Sequence, residues 1–136
     1  MKISQMDKKQ KINLALYFSG ITILLLLFIF FVTFAWIGFG VKDTCNKAQL
    51  QFEGDCVDAL MQTVEADFET NVSKNSATWA LGQLGDNRAL PLLESKYTGY
   101  ISEEKEPWEN GLSQYELSKA IKLLKGGWNI TAFVWR

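Results

Sequence analysis

The chain has 136 residues, of which 48% are hydrophobic, with 14 basic and 15 acidic side chains and no histidine. Without histidine, Ser-His and Cys-His catalytic pairs and histidine-ligated metal sites are excluded. The hydrophobic residues are unevenly spread. Residues 12–41 contain 23 of them in 30 positions and no charge, whereas the 95 residues that follow contain 39. This division predicts a membrane segment followed by one small water-facing domain.

The first predicted element is a transmembrane helix over residues 12–41, which follows a basic flank over residues 1–11. About 20 apolar residues are enough to cross a hydrocarbon layer of roughly 30 Å. Residues 21–39 alone supply 19, of which 16 are hydrophobic. The alternative is a buried helix of a soluble protein, but the remaining 95 residues are too few to cover an apolar helix of this length.

A cleavable signal peptide is a second alternative, because four lysines precede the apolar segment. Signal-peptide cores span about 7–15 residues and end in a small-x-small site. This segment is longer, and Ala35-Trp36-Ile37 has bulky residues where small ones are needed. We therefore expect a retained signal anchor. The net charge is +3 before the segment and −1 over residues 42–55, which predicts a cytoplasmic N-terminus and an extracytoplasmic C-terminal domain in a single-pass arrangement at the cell membrane.

Cys45 and Cys56 are the two cysteines of the chain, and both follow the apolar segment. Cys45 lies in the predicted juxtamembrane linker over residues 42–54. In an oxidising compartment this pair predicts a disulfide; two unpaired cysteines, with Cys56 buried as a small apolar residue, are the alternative. A zinc or redox site would need a CxxC pair and further ligands, so no metal site and no cofactor are predicted.

The next predicted elements are the first helices of a domain over residues 55–127. Apolar residues recur at helical spacing from residue 55 to residue 69, and a polar break follows at residues 71–75. A second helix is expected to end at Gly85. Asp86 is expected to cap a third helix, which has a proline in its first turns.

A connection over residues 97–110 precedes the last predicted helix. Ser113 and Glu116 have the spacing of a capping box at its start, and two adjacent glycines at residues 126 and 127 end it. The aromatic tail over residues 128–136 is rich in β-branched and aromatic residues. It predicts a short C-terminal strand or an extended packing arm.

The second and third predicted helices carry a sequence that resembles a HEAT repeat. Residues 77–93 read ATWALGQLGDNRALPLL, similar to the AxxALGxLGD corner and the RALPxL that follows it in phycobilisome-lyase-like HEAT proteins. The resemblance implies an all-α fold, a short α-α hairpin solenoid of about four helices, whose usual work is to hold proteins together. It does not imply chemistry. The motif residues are Ala77, Ala80, Leu81, Gly82, Leu84, Gly85, Asp86, Arg88 and Pro91.

No catalytic residue is predicted. The acidic groups at residues 55–58, 65–69 and 103–106 lack the calcium-loop pattern or second carboxylate cluster of a metal or acid–base site, so solvated surfaces are the simpler interpretation. Ten basic and fourteen acidic residues follow residue 41. The resulting charge of −4 argues against nucleic acid and anionic headgroups as partners.

Four of the five tryptophans lie outside the apolar segment. Trp79 falls on a predicted helix and is assigned to the core. The candidate interaction residues are Trp108, Trp128, Phe133 and Trp135. Tryptophan often anchors binding sites; packing of the tail across the open end of the helices, or contact with the bilayer surface, is the alternative. Solenoids need about three repeats for a self-sufficient core, so we expect an exposed apolar face near Trp108 and the tail.

The sequence thus predicts a non-enzymatic, membrane-anchored module that binds another membrane or extracytoplasmic protein, as a scaffold or a small accessory subunit of a membrane complex. The lipid bilayer contacts the span, no nucleic acid partner is expected, and a homo-oligomer is left open. One alternative is a lyase-like or ligand-binding accessory enzyme that uses acidic and tryptophan residues. Another is a function of the span itself beside other membrane helices. A pocket with converging carboxylates would favour the enzyme, and a continuous apolar ridge would favour the binding module.

Overall fold

The computed structural model describes residues 7–99 and 106–132. All regular structure in these two ranges is helical, which confirms the all-α class and the four helices expected after the apolar segment. The elements are α1 (Lys8–Gln49), α2 (Cys56–Glu65), α3 (Asn71–Leu84), α4 (Leu90–Lys96) and α5 (Gln114–Leu124), with a 3-10 turn at Asn87–Ala89.

The chain divides into two units, Met1–Trp36 and Ile37–Arg136. The described part of the first unit is helical, and its large apolar side chains are mostly exposed. Among the described residues, α1 is the one helix long and apolar enough to cross a membrane. Thr22 and Thr33 each donate a hydroxyl hydrogen bond to the carbonyl four residues earlier, at 2.9 and 2.8 Å. Their polar groups are therefore satisfied within the helix.

The second unit begins with the last part of α1. Val41, Cys45 and Ala48 recur at helical spacing and are buried in the core. The sequence predicts a linker over residues 42–54, but the structure continues the helix to Gln49. The helix persists because these three residues form an apolar face that the rest of the unit covers.

The two helices that follow begin at side-chain caps. Asp55 accepts a hydrogen bond from Asp58 N at 2.9 Å and opens α2, which ends at Glu65. Phe68, which the periodicity assigns to this helix, lies beyond its end and is 75% exposed. Thr70 caps α3. The prediction of a polar break at residues 71–75 is therefore wrong, because Thr70 starts the helix before these residues.

The remaining helices follow the predicted turn chemistry. Gly85, with φ 67°, ends α3, and the Asp86 side chain accepts from Arg88 N in the turn that follows. Ser113 accepts from Glu116 N at the start of α5. The described part of the tail, residues 128–132, contains no strand: residues 130 and 131 form a turn, and Ala132 N donates to Asn129 O at 3.2 Å. The rest of the predicted strand or extended arm lies outside the described residues.

The centre of the second unit is α3, which packs against both α2 and α5. A Cβ atom on Gly82 would lie 2.7 Å from the Cα atom of Ala120 in α5. A real Cβ does not approach backbone so closely, so the distance between these two helices depends on glycine at this position.

Candidate functional site

The residues of the repeat motif build the fold. Ala77, Ala80 and Leu81 are buried in the core, and Gly82 faces α5. The later members of the motif form the corner between α3 and α4, where Pro91 lies in the first turn of α4. None of these side chains converges on a cleft that could serve as a reaction centre among the residues described.

At this corner Arg88 holds three carboxylates. Its guanidinium lies 2.7 Å from Asp55, 3.1 Å from Asp58 and 2.9 Å from Asp86. The Arg88 side chain lowers the pKa of Asp86 below its ordinary value, and the Asp58 backbone N–H together with Arg88 lowers that of Asp55. Asp55 and Asp86 therefore stay charged, and all three carboxylates are engaged by the arginine. The cluster therefore joins the start of α2 to the corner.

The sequence analysis interpreted the acidic group at residues 55–58 as a solvated surface and assigned Asp86 a capping role. The pairing with α2 spans about 30 residues of chain. The available signal was the placement of two carboxylates at the N-terminus of a helix that leads into the repeat.

A buried polar residue fastens the connection before α5. Asn75 in α3 is fully buried, and its Nδ2 donates to the carbonyls of Trp108 at 3.1 Å and Gly111 at 2.7 Å. Its Oδ1 accepts from the backbone N–H of Ser113 at 2.8 Å. In a capping box, the side chain of Glu116 would accept a hydrogen bond from the N–H of Ser113. Here Asn75 accepts this hydrogen bond instead. The hydrogen bonds fix the position of Trp108 on the unit.

The second unit has a cleft of about 200 Å³ between its segment of α1 and helices α2 and α3. Ala48, Leu60 and Val72 supply its apolar lining. The polar lining residues are Thr44, Lys47, Gln51, Thr63, Glu69, Ser73 and Ser76. Of these residues, Ala48, Leu60 and Thr63 are buried, and Val72 is partly exposed.

A neighbouring cleft shares Val72 with the first and is lined also by Glu106, Pro107, Trp108 and Glu109. Val72 is 42% exposed between them. Phe68, next to Glu69 of the first cleft, stacks on Phe52 at 5.9 Å between ring centroids. We call Phe68, Val72 and Trp108, with the two clefts, the Val72 surface.

Of the four candidate interaction residues, the two that the structure describes lie at opposite ends of α3. Trp108 belongs to the Val72 surface, near the start of α3. Trp128 is 91% exposed, and the adjacent Asn129 donates to Gln83 near the end of α3. Asn75 and Gln83 are eight residues apart, or about 12 Å along a helix axis. Phe133 and Trp135 lie outside the described residues, as do Glu103 and Glu104.

The two cysteines are paired. Cys45 of α1 and Cys56 of α2 form a disulfide with a Cα–Cα distance of 5.2 Å. The pair predicted from the sequence is thus confirmed, and it ties the start of α2 to α1. Among the residues that the structure describes, no group of three or more cysteine or carboxylate side chains is placed to hold a metal ion.

Comparison with known proteins identifies one repeat unit. Residues 74–96 match the family model of the PBS lyase HEAT-like repeat, which confirms the resemblance noted for residues 77–93. The matched segment covers most of α3, the corner and α4. No curated protein and no solved structure has a significant match to the chain.

Proposed function

We propose that this protein is a single-pass, membrane-anchored interaction module without enzymatic activity. Its second unit binds an apolar segment of another membrane or extracytoplasmic protein at the Val72 surface, as a scaffold or small accessory subunit. The observation that carries the proposal is the exposed Val72, which is shared by two clefts on a unit that contains a HEAT-like repeat.

The side chains of the Val72 surface support binding rather than structural packing. Phe68 is 75% and Val72 is 42% exposed, although both are large apolar residues. Trp108 is held beside them through the buried Asn75, so its backbone is fixed before any partner arrives. Such preorganisation lowers the entropy lost on binding, and rigid aromatic residues are frequent anchors of interfaces.

The charged residues favour binding over catalysis. The carboxylates of the corner are engaged by Arg88. Glu106, in the second cleft, accepts a hydrogen bond from Ser113 Oγ at 2.8 Å, which directs it toward the start of α5. An acid–base pair needs two carboxylates in different environments aimed at one point, and these groups instead serve helix starts and ion pairs.

We further propose that the apolar segment is a retained anchor and that the second unit lies outside the cytoplasm. The charge difference across the segment supports this orientation, and the cysteine pair suits an oxidising compartment. The test is thiol tagging of the full chain in intact cells with a membrane-impermeant maleimide, with and without prior reduction. Tagging only after reduction supports the proposal; tagging that requires cell lysis contradicts it.

The binding role is tested by crosslinking and mass spectrometry on the full chain in mild detergent. In Val72→Glu, the new charge lies in the first turn of α3, where a carboxylate is compatible with the helix dipole. We therefore expect unchanged helicity but loss of the partner crosslinked by the wild type. Ile130→Glu is the matched control, since this residue is also apolar and 57% exposed. Equal recovery of the same partner with both variants would overturn the assignment of the Val72 surface.

A further inference from the structure

A second exposed apolar feature lies away from the Val72 surface. Trp128 is 91% and Ile130 is 57% exposed. They flank Asn129, whose Nδ2 donates to the side chain of Gln83 in α3 at 2.9 Å. We call Trp128 and Ile130 the tip. Because Asn129 is held on α3, the tip has a defined position on the second unit.

The position follows from contacts within the second unit. Ala48 of α1 and Val72 of α3 line the same cleft. Gly40 of α1 faces Trp79 of α3, because a Cβ atom on Gly40 would lie 3.2 Å from the Trp79 ring. The earlier residue of α1 thus contacts the later residue of α3, so the α1 segment and α3 are antiparallel. Gln83 is one turn beyond Trp79. The tip consequently lies at the end of the unit where the α1 segment enters it.

The charge around the tip differs from that of the whole domain. Residues 117–132 contain three lysines and no acidic residue, although the chain after residue 41 carries −4. Lys119 and Lys125 pair with Glu116 and Glu94. Lys122 is exposed, and its carbonyl accepts from the N–H of Gly127, directly before the tip. The backbone of Lys122 thus lies against the residue that precedes the exposed Trp128.

We infer that the tip inserts into the headgroup region of the bilayer and gives the second unit its own contact with lipid. Tryptophan has an apolar ring and one N–H donor, and it prefers the membrane–water interface. Lys122 adds attraction to anionic headgroups. The overall charge of −4 argued against such a contact, but residues 117–132 carry no acidic side chain, and the carboxylates of the nearby corner are paired with Arg88. The inference rests on the membrane placement proposed for α1.

The test is fluorescence quenching of the full chain in liposomes of phosphatidylcholine and phosphatidylglycerol, with bromine on the acyl chains near the headgroup. The emission of Trp128 is obtained by subtracting the spectrum of Trp128→Phe from that of the wild type. The emissions of Trp36 and Trp108 are obtained in the same way from Trp36→Phe and Trp108→Phe and serve as references. We expect loss of the Trp128 and Trp36 emission in brominated liposomes and retention of the Trp108 emission. Lys122→Glu should reduce the quenching of Trp128 in liposomes that contain phosphatidylglycerol.

Comparison with Trp36 and Trp108 shows whether a negative result concerns the tip or the membrane anchor. Quenching of Trp36 without quenching of Trp128 would overturn the inference and leave the anchor intact. Absence of quenching at both would overturn the anchor itself. Protection of Trp128 from aqueous iodide only in the presence of a crosslinked partner protein would assign the tip to that protein, and would also overturn the inference.

Discussion

Replacement of Asn75 by alanine should destabilise the second unit more than any other single polar substitution in α3. The side chain is fully buried and makes three hydrogen bonds to the segment before α5. Asn75→Ala leaves the N–H of Ser113, a residue only 5% exposed, without a partner. The two freed carbonyls belong to half-buried residues and can reach water.

The magnitude follows from these three bonds. An unsatisfied buried donor costs about 1–3 kcal/mol, and each rehydrated hydrogen bond about 0.5–1.5 kcal/mol. The higher helix propensity of alanine offsets about 0.7 kcal/mol. We expect a net loss of about 1–5 kcal/mol, with a centre at about 3 kcal/mol, which is a large part of the stability of a small domain. Asn75→Asp keeps the acceptor but sets a carboxylate against two carbonyl oxygens, so its loss should be at least as large.

The assay is pulse proteolysis of the full chain across a urea series in nonionic detergent, with amide exchange at Ser113 as a local readout. Asn71→Ala is the control, because Asn71 lies one turn earlier and makes a single bond, to the Glu109 carbonyl at 2.9 Å. It should lose less than about 1.5 kcal/mol. Equal losses for the two alanine variants, or unchanged exchange at Ser113 in Asn75→Ala, would refute the reasoning.

Three further substitutions test other features. Gly82→Ala places a methyl group against the backbone of α5 and should lower the unfolding free energy by about 1–3 kcal/mol, whereas Gly111→Ala, with open space around it, should be neutral in the same denaturation assay. In Arg88→Gln, the pKa of Asp86 should rise toward its ordinary value of 3.8. In the wild type, the ion pair of Asp86 with Arg88 stabilises the folded state above that pH, and this stabilisation is lost as the pH falls through the lowered folded-state pKa. The thermal midpoint of the variant should therefore fall less on acidification than that of the wild type. An unchanged pH profile would contradict the pairing. Cys45→Ser should lose about 2–3 kcal/mol through the freed loop, and reduction of the wild type should produce the same shift in urea midpoint.

The helices could be predicted where the determinants are local. The turn at Gly85 and the cap at Ser113 depend on residues within one helical turn, and both are found in the structure. The start of α3 was missed because residues 71–75 are polar, and polarity was taken for a break. Asn75 is polar because its partners lie 33 to 38 residues further along the chain, and no local pattern reports such a distance.

Only one residue of the proposed interaction site, Trp108, was predicted from the sequence. Trp108 was singled out as hard to bury, and it does lie on an apolar cleft. Val72 and Phe68 were missed: Phe68 was counted as a core residue from its spacing, and Val72 was placed in a polar break. Their exposure depends on where α2 ends and α3 begins, which periodicity locates only to within a few residues. Val41, Cys45 and Ala48 have the spacing of one helical face, but the charged residues between them led to the prediction of a linker.

The burial of Val41, Cys45 and Ala48 makes the end of α1 part of the core of the second unit. A protease that cuts between residues 42 and 45, before the disulfide-bonded Cys45, would release a fragment without Val41 in its core and with only part of this helical face. Such a fragment would expose apolar surface and should be cleared or aggregate rather than circulate as an active soluble form. On the membrane placement and binding role proposed above, such cleavage would therefore abolish binding at the Val72 surface rather than release it in soluble form.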